Sequence, residues 1–117
     1  MSIKLVALLV LCATAPAVEL QAIVTGYCGS DFSGITSTDV DTDDHPTGIA
    51  AAPTILPYGT LIKVTGYNNG NWAKVDDTGG AMRKDAKRGI VHIDLRFKTH
   101  AEAVQWGRRH MTITVKD

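Results

Sequence analysis

Two aspartates stand where a carboxylic acid could do chemistry. Asp77 opens the run Asp77-Thr78-Gly79-Gly80, in which glycine lets a ligand approach the backbone closely. Asp94 is flanked by Ile93 and Leu95. Partial desolvation there raises a carboxyl's pKa and favours the protonated form that an acid catalyst needs. Cleavage of a glycosidic bond is chemistry of this kind: a carboxylic acid sits beside the leaving oxygen, and most hydrolases add a second carboxylate. Plainer assignments fit the same residues. Asp94 lies on the polar side of an alternating strand, the place of a solvated side chain, and Asp77 suits a tight turn.

Other chemistries find less support. The acidic run Asp39, Asp41, Asp43 and Asp44 offers oxygens to a hard cation, but it lacks the glycine and terminal glutamate of an EF-hand loop and equally suits a solvated loop. The histidines at 45, 92, 100 and 110 show no close zinc-ligand spacing, and no metal or other cofactor is expected. No nucleophile elbow, phosphate loop or dinucleotide fingerprint occurs. The 117 residues carry 12 Lys+Arg against 12 Asp+Glu, a balance that argues against a nucleic-acid partner. Arg83, Lys84, Lys87 and Arg88 suit either contact with an anionic polymer or a soluble basic loop over 83–89.

These residues need a frame. Runs at 22–27, 48–51, 61–64, 72–76, 91–97 and 110–115 read as short strands; the clearest is Val91, Ile93, Leu95 and Phe97 alternating with His92, Asp94 and Arg96. Residues 29–46 form a polar loop, and Asn68-Asn69-Gly70 signals a hairpin. Thr99 and Glu102 fit a capping box that starts one short helix, ended by Gly107. The expected fold is all-β, with six strands closed into a barrel so that few edges are exposed.

The N-terminal segment has the marks of a secretory signal. Lys4 precedes an apolar run over 5–13, and small residues at Ala15, Ala17 and Ala22 offer cleavage after Ala17 or Ala22. The expectation is a signal peptide over 1–22 and a folded domain over 23–117, secreted or retained in the periplasm or cell envelope. The apolar run is short for a membrane span, so no stable membrane anchor is expected. Cys12 lies in this leader. Cys28, left alone after cleavage, has no internal disulfide partner, and it reads as a small buried hydrophobe or a reactive thiol.

Taken in order, several motifs resemble one family. They are Val75-Asp76-Asp77-Thr78-Gly79-Gly80-Ala81-Met82, His92-Ile93-Asp94-Leu95-Arg96-Phe97, Thr99-His100-Ala101-Glu102-Ala103, Trp106-Gly107-Arg108-Arg109 and Thr112-Ile113-Thr114-Val115. Upstream, Thr25-Gly26-Tyr27-Cys28, Gly34-Ile35-Thr36-Ser37 and Pro57-Tyr58-Gly59-Thr60 fit as well. The pattern resembles the 3D, or three-aspartate, domain, which is similar to the catalytic barrel of the membrane-bound lytic transglycosylase A family. The resemblance implies a six-stranded double-psi β-barrel and an enzyme that cuts peptidoglycan between N-acetylmuramic acid and N-acetylglucosamine without water, leaving a 1,6-anhydro sugar. It assigns Asp94 as acid/base and Asp77 as the supporting carboxylate. Thr78, Gly79 and Gly80, with Tyr27 and Thr60 from the upstream motifs, become the substrate-binding residues. The expected protein is a monomer whose partner is peptidoglycan or a related glycan. Two departures stand out: the third family aspartate is replaced by Ala52, and the 83–89 segment is longer than usual. Ala52 also suits a non-catalytic, expansin-like wall-binding module. A hydrolytic glycosidase pairing Asp77 with Asp94 is a further alternative; it would hold the carboxyls about 5–5.5 Å apart if retaining and about 6.5–9.5 Å if inverting.

Overall fold

The computed structural model describes residues 17–117. Residues 1–16 of the expected 1–22 leader lie outside the described residues. Six strands form one closed barrel: β1 (Ala17–Cys28), β2 (Ile49–Ala50), β3 (Leu61–Lys63), β4 (Ala73–Asp77), β5 (His92–Phe97) and β6 (Arg109–Lys116). Round the barrel the order is β1-β5-β2-β4-β3-β6, closing back on β1. Two neighbouring pairs, β1/β5 and β2/β4, are parallel; the others are antiparallel. Val24, Ile49, Ile62, Val75, Ile93, Leu95 and Ile113 fill the interior and are completely shielded from solvent. Closure leaves no long unpaired edge, so a small domain can hold together on this core.

Two of the described elements are helices, where the sequence suggests one. Helix α2 (His100–Trp106) is the expected one. Thr99 Oγ1 accepts from the Glu102 N–H at 3.1 Å, and the Thr99 N–H donates to Glu102 Oε1 at 3.2 Å, which completes the capping box. Gly107 follows with φ +71°. Trp106 anchors the helix by donating its indole N–H to the Val24 carbonyl at 3.2 Å. Helix α1 (Gly80–Lys87) corrects the expectation of a basic loop over 83–89. Met82 is its one buried residue, and Arg83, Lys84 and Lys87 remain exposed.

β1 is 12 residues long and begins at Ala17, well ahead of the strand expected over 22–27. Its first half pairs with β6, from Ala17 opposite Lys116 to Ala22 opposite Met111. Asn68-Asn69-Gly70 does connect antiparallel β3 and β4, with all three residues at positive φ. Among the described residues, no helix is long and apolar enough to cross a membrane.

Candidate active site

β5 turns its polar residues away from the barrel interior, but little of them reaches open solvent. His92 is buried, Asp94 is half-buried and Arg96 is completely buried. The polar loop over 29–46 and helix α1 cover this outer face. The fully solvated assignment of Asp94 is therefore corrected: an alternating pattern reports two faces, and here the outer one is also largely covered.

Strand register places the two aspartates in one row. Asp94 pairs with Thr25 of β1 on one side and Ala50 of β2 on the other, and Ala50 in turn pairs with Asp77 of β4. By alternation Asp77 would face inward with Ala73 and Val75. The register slips between the pairs Ile49–Val75 and Ala50–Asp77, and the slip brings Asp77 level with Ala50. The backbones of Asp77 and Asp94 thus lie two strand spacings apart, about 9.6 Å. The small side chain of Ala50 lies between them, packed with Tyr27 and Met82.

The two carboxyls have different surroundings. Asp77 is saturated with donors: its Oδ1 accepts from the Ser37 N–H (3.0 Å), the Ser37 hydroxyl (2.7 Å) and the Thr78 N–H (2.9 Å), and its Oδ2 accepts from the Tyr27 hydroxyl (3.1 Å). Such a group is fixed in place and can orient and polarise a ligand. Asp94 Oδ1 accepts from the Thr25 hydroxyl at 3.0 Å. Burial pushes its carboxyl up from 3.8 to about 6; the Thr25 hydrogen bond and the charge of His92 oppose the rise, and the charge of Asp77 adds to it.

Beneath the row lies a buried ion pair. All five guanidinium donors of Arg96 are used. Nε donates to the His45 carbonyl (2.9 Å), and the terminal nitrogens reach Asp76 Oδ1 (2.8 Å), Asp76 Oδ2 (2.9 Å), the Thr47 carbonyl (2.8 Å) and the Tyr27 hydroxyl (3.1 Å). Burial alone would lower the pKa of Arg96, but its hydrogen bonds to Asp76 and Tyr27 outweigh that and hold it above its ordinary value. Tyr27 joins this pair to Asp77, and burial lifts its phenol well above the usual range, so it remains a donor. A Cβ added to Gly48 would fall on the guanidinium, which explains glycine there. Tyr67 closes the layer. Its hydroxyl accepts from the Gly48 N–H at 2.9 Å, it lies in hydrogen-bond contact with the Arg96 carbonyl, and burial pushes it up to about 12.

The expected substrate-binding residues divide. Thr78 and Gly79 lead from Asp77 into α1, and Gly80 begins the helix with open space where a side chain would stand. The Thr78 hydroxyl accepts from Arg83 at 3.0 Å. Tyr27 is 9% exposed and its hydroxyl is engaged between Arg96 and Asp77, so it builds the site from beneath. The Thr60 hydroxyl donates to the Pro57 carbonyl, which closes a turn beside Val75 rather than beside either aspartate. Ala52, in place of the third aspartate, is buried and shares a closed gap with Met82 and His92. Ser37, Asp76, Asp85 and Arg96 carry site geometry without having been singled out for it; only the motif resemblance could have flagged Ser37, Asp76 and Arg96. In the acidic loop, Asp41 Oδ1 accepts from the Asp43 N–H at 2.8 Å. Among the described residues, no three His, Cys, Asp or Glu side chains cluster to hold a metal. Cys28 is buried, with Sγ 3.1 Å from the Ser30 hydroxyl. Two depressions of about 350 and 530 Å³ are lined by neither aspartate.

The 3D domain model matches residues 47–116, which include β2 to β6 and both aspartates. The chain belongs to the 3D domain family. It is 31% identical over 101 residues to "Cell wall-binding protein YocH" of Bacillus subtilis (strain 168), covering 83% of this chain and 32% of that protein. It is also 31% identical over 93 residues to "Putative cell wall shaping protein YabE" of the same organism, covering 78% of this chain and 20% of that protein. The chain thus spans a third or less of the length of these relatives.

Proposed function

We propose that this 3D domain is a cell-wall enzyme of the lytic transglycosylase kind, acting on peptidoglycan outside the cytoplasm. The asymmetry between the two carboxyls carries the reading. Asp94 is half-buried with its carboxyl near 6, whereas Asp77 is held by four donors. One proton-exchanging carboxyl is what non-hydrolytic cleavage needs, and a hydrolase pair asks for two. Protonated Asp94 gives its proton to the glycosidic oxygen as the C1–O bond breaks. The muramyl 6-hydroxyl then attacks C1, and its proton passes to the Asp94 carboxylate. A 1,6-anhydro sugar forms, no water is consumed and Asp94 ends protonated. Asp77, fixed by Ser37 and Tyr27, faces the positive charge that develops on the sugar ring.

The wall-directed names of the two relatives agree with this substrate class. The two parallel strand pairs in a six-stranded closed barrel agree with a double-psi arrangement. We read the leader as a signal cut after Ala17, because a cut after Ala22 would remove the half of β1 that pairs with β6.

The test is digestion of purified peptidoglycan by the protein and by Asp94→Asn, with released fragments read by mass spectrometry. Anhydro-muramyl products from the parent alone are expected. Reducing-end products without anhydro sugar would replace the mechanism by hydrolysis. Sedimentation with the wall and no release would replace it by the binding module that the name of YocH suggests.

A further inference from the structure

Asp94 stands at one end of a hydrogen-bonded chain that the cleavage chemistry above does not use. Its Oδ1 lies 3.0 Å from the Thr25 hydroxyl. That hydroxyl lies 2.9 Å from His92 Nε2, with the Ile93 carbonyl a longer third contact at 3.4 Å. His92 Nδ1 lies 2.9 Å from Asp85 Oδ2 on helix α1. His92 is buried, and Arg88 approaches the other oxygen of Asp85 at 3.7 Å. Three elements, β1, β5 and α1, therefore combine to run a line of donors and acceptors from the site to its covered side.

A threonine hydroxyl has one proton, so the chain can be filled in two ways. In the first, Asp94 is protonated and donates to Thr25 Oγ1, Thr25 donates to His92 Nε2, and His92 Nδ1–H donates to Asp85. In the second, Asp94 is a carboxylate that accepts from Thr25, Thr25 Oγ1 accepts from His92 Nε2–H, and His92 is an imidazolium held by Asp85. The two forms contain the same number of protons and pair the same atoms. They interconvert by two short hops, one on each side of Thr25.

From this geometry we infer that Thr25, His92 and Asp85 are positioning residues forming a proton relay, through which the covered imidazole loads and unloads the Asp94 carboxyl. The relay rests on Asp94 being the acid/base group and adds to that role a proton store held away from the substrate. A working relay couples the carboxyl to the imidazole, and strongly coupled sites titrate as a pair. The charged or titratable groups around the pair are Asp77 from β4, Tyr27 from β1 through its bond to Asp77, and Asp85 with Arg88 from the α1 side.

The test is an NMR titration of the Asp94 carboxyl carbon and the His92 ring nitrogens in labelled protein, which needs no turnover. In the parent both residues are expected to report the same two midpoints. Thr25→Val removes the bridging hydroxyl. The two titrations then separate, and the Asp94 midpoint rises by about one pH unit, the scale at which two sites titrate as a pair. Thr25→Ser keeps the parent curves. Asp85→Asn makes His92 a poorer cation and so raises the Asp94 midpoint without touching Asp94. A histidine that only packs α1 against the barrel would leave that midpoint unmoved. Independent midpoints in the parent, or an Asp94 midpoint unchanged in both Thr25→Val and Asp85→Asn, would overturn the relay. Coupled titration in a protein that releases nothing from peptidoglycan would keep the relay and remove the cleavage reading. Release of anhydro products with uncoupled titration would do the reverse.

Discussion

Replacing Asp94 by asparagine is expected to stabilise the protein while abolishing turnover. Burial raises the Asp94 carboxyl from 3.8 to about 6 in the folded chain, so the folded state binds a proton there more tightly than the unfolded chain does. Below about pH 4 the group is protonated in both states and costs nothing. As pH climbs through 6 the folded chain must ionise a half-buried carboxyl, and stability falls. The gap between 3.8 and about 6, at 1.36 kcal/mol per pH unit, gives a penalty of up to about 3 kcal/mol at pH 7.5. Asparagine has the same shape and never ionises. Urea denaturation of parent and variant from pH 3.5 to 8 should show equal stability at the acid end and a growing advantage for Asp94→Asn between pH 4 and 7. Apart from His92, which Thr25 links to Asp94, the other titrating groups are common to both proteins and largely cancel in the difference. A difference that stays flat across this range would refute the claim that desolvation governs Asp94, and with it the argument for Asp94 as the acid.

Arg96→Met should destabilise the fold by about 3–5 kcal/mol in the same assay, because it leaves Asp76 unpaired and takes the donor from the His45 and Thr47 carbonyls; Arg96→Lys should recover little, since an ammonium cannot reproduce the fork. Ser37→Ala removes one hydrogen bond to the Asp77 carboxylate, and a stability loss of about 1.5 kcal/mol is expected, with slower release of wall fragments. N-terminal sequencing of the exported chain should begin at Val18. A chain lacking residues 18–22 loses the packing of Leu20 against the core and should unfold with about 2 kcal/mol less stability.

Local signals in the sequence were the legible ones. The capping box at Thr99 and the turn at Asn68-Asn69-Gly70 involve residues a few positions apart, and both form as expected. The alternation in β5 correctly gives a strand but does not tell how dry its outer face is, because that depends on distant segments: Thr25 of β1 beside Asp94 and the His45 carbonyl on Arg96. Helix α1 was hidden for a related reason. With Met82 its only buried residue, it has no apolar period to read, and the flanking Gly79, Gly80 and Gly89 look like loop punctuation. The first half of β1 was obscured because its residues also fit the end of a leader. Asp77 and Asp94 drew attention as lone carboxylates, but their shared row round Ala50 depends on a register slip that no spacing in the chain announces.

The pairing of β1 with β6 also has a mechanical consequence. Val18 lies opposite Val115, so the two ends of the barrel strands meet at one point. A pull between those two ends loads the antiparallel ladder one residue pair at a time, peeling it like a zipper instead of shearing all its hydrogen bonds together. A pull on one end alone, with the glycan held at the Asp77–Asp94 row, passes along the whole of β1 to Thr25. Tension is thus felt first at the ladder when both ends are held, and along β1 as far as Thr25 when only one is.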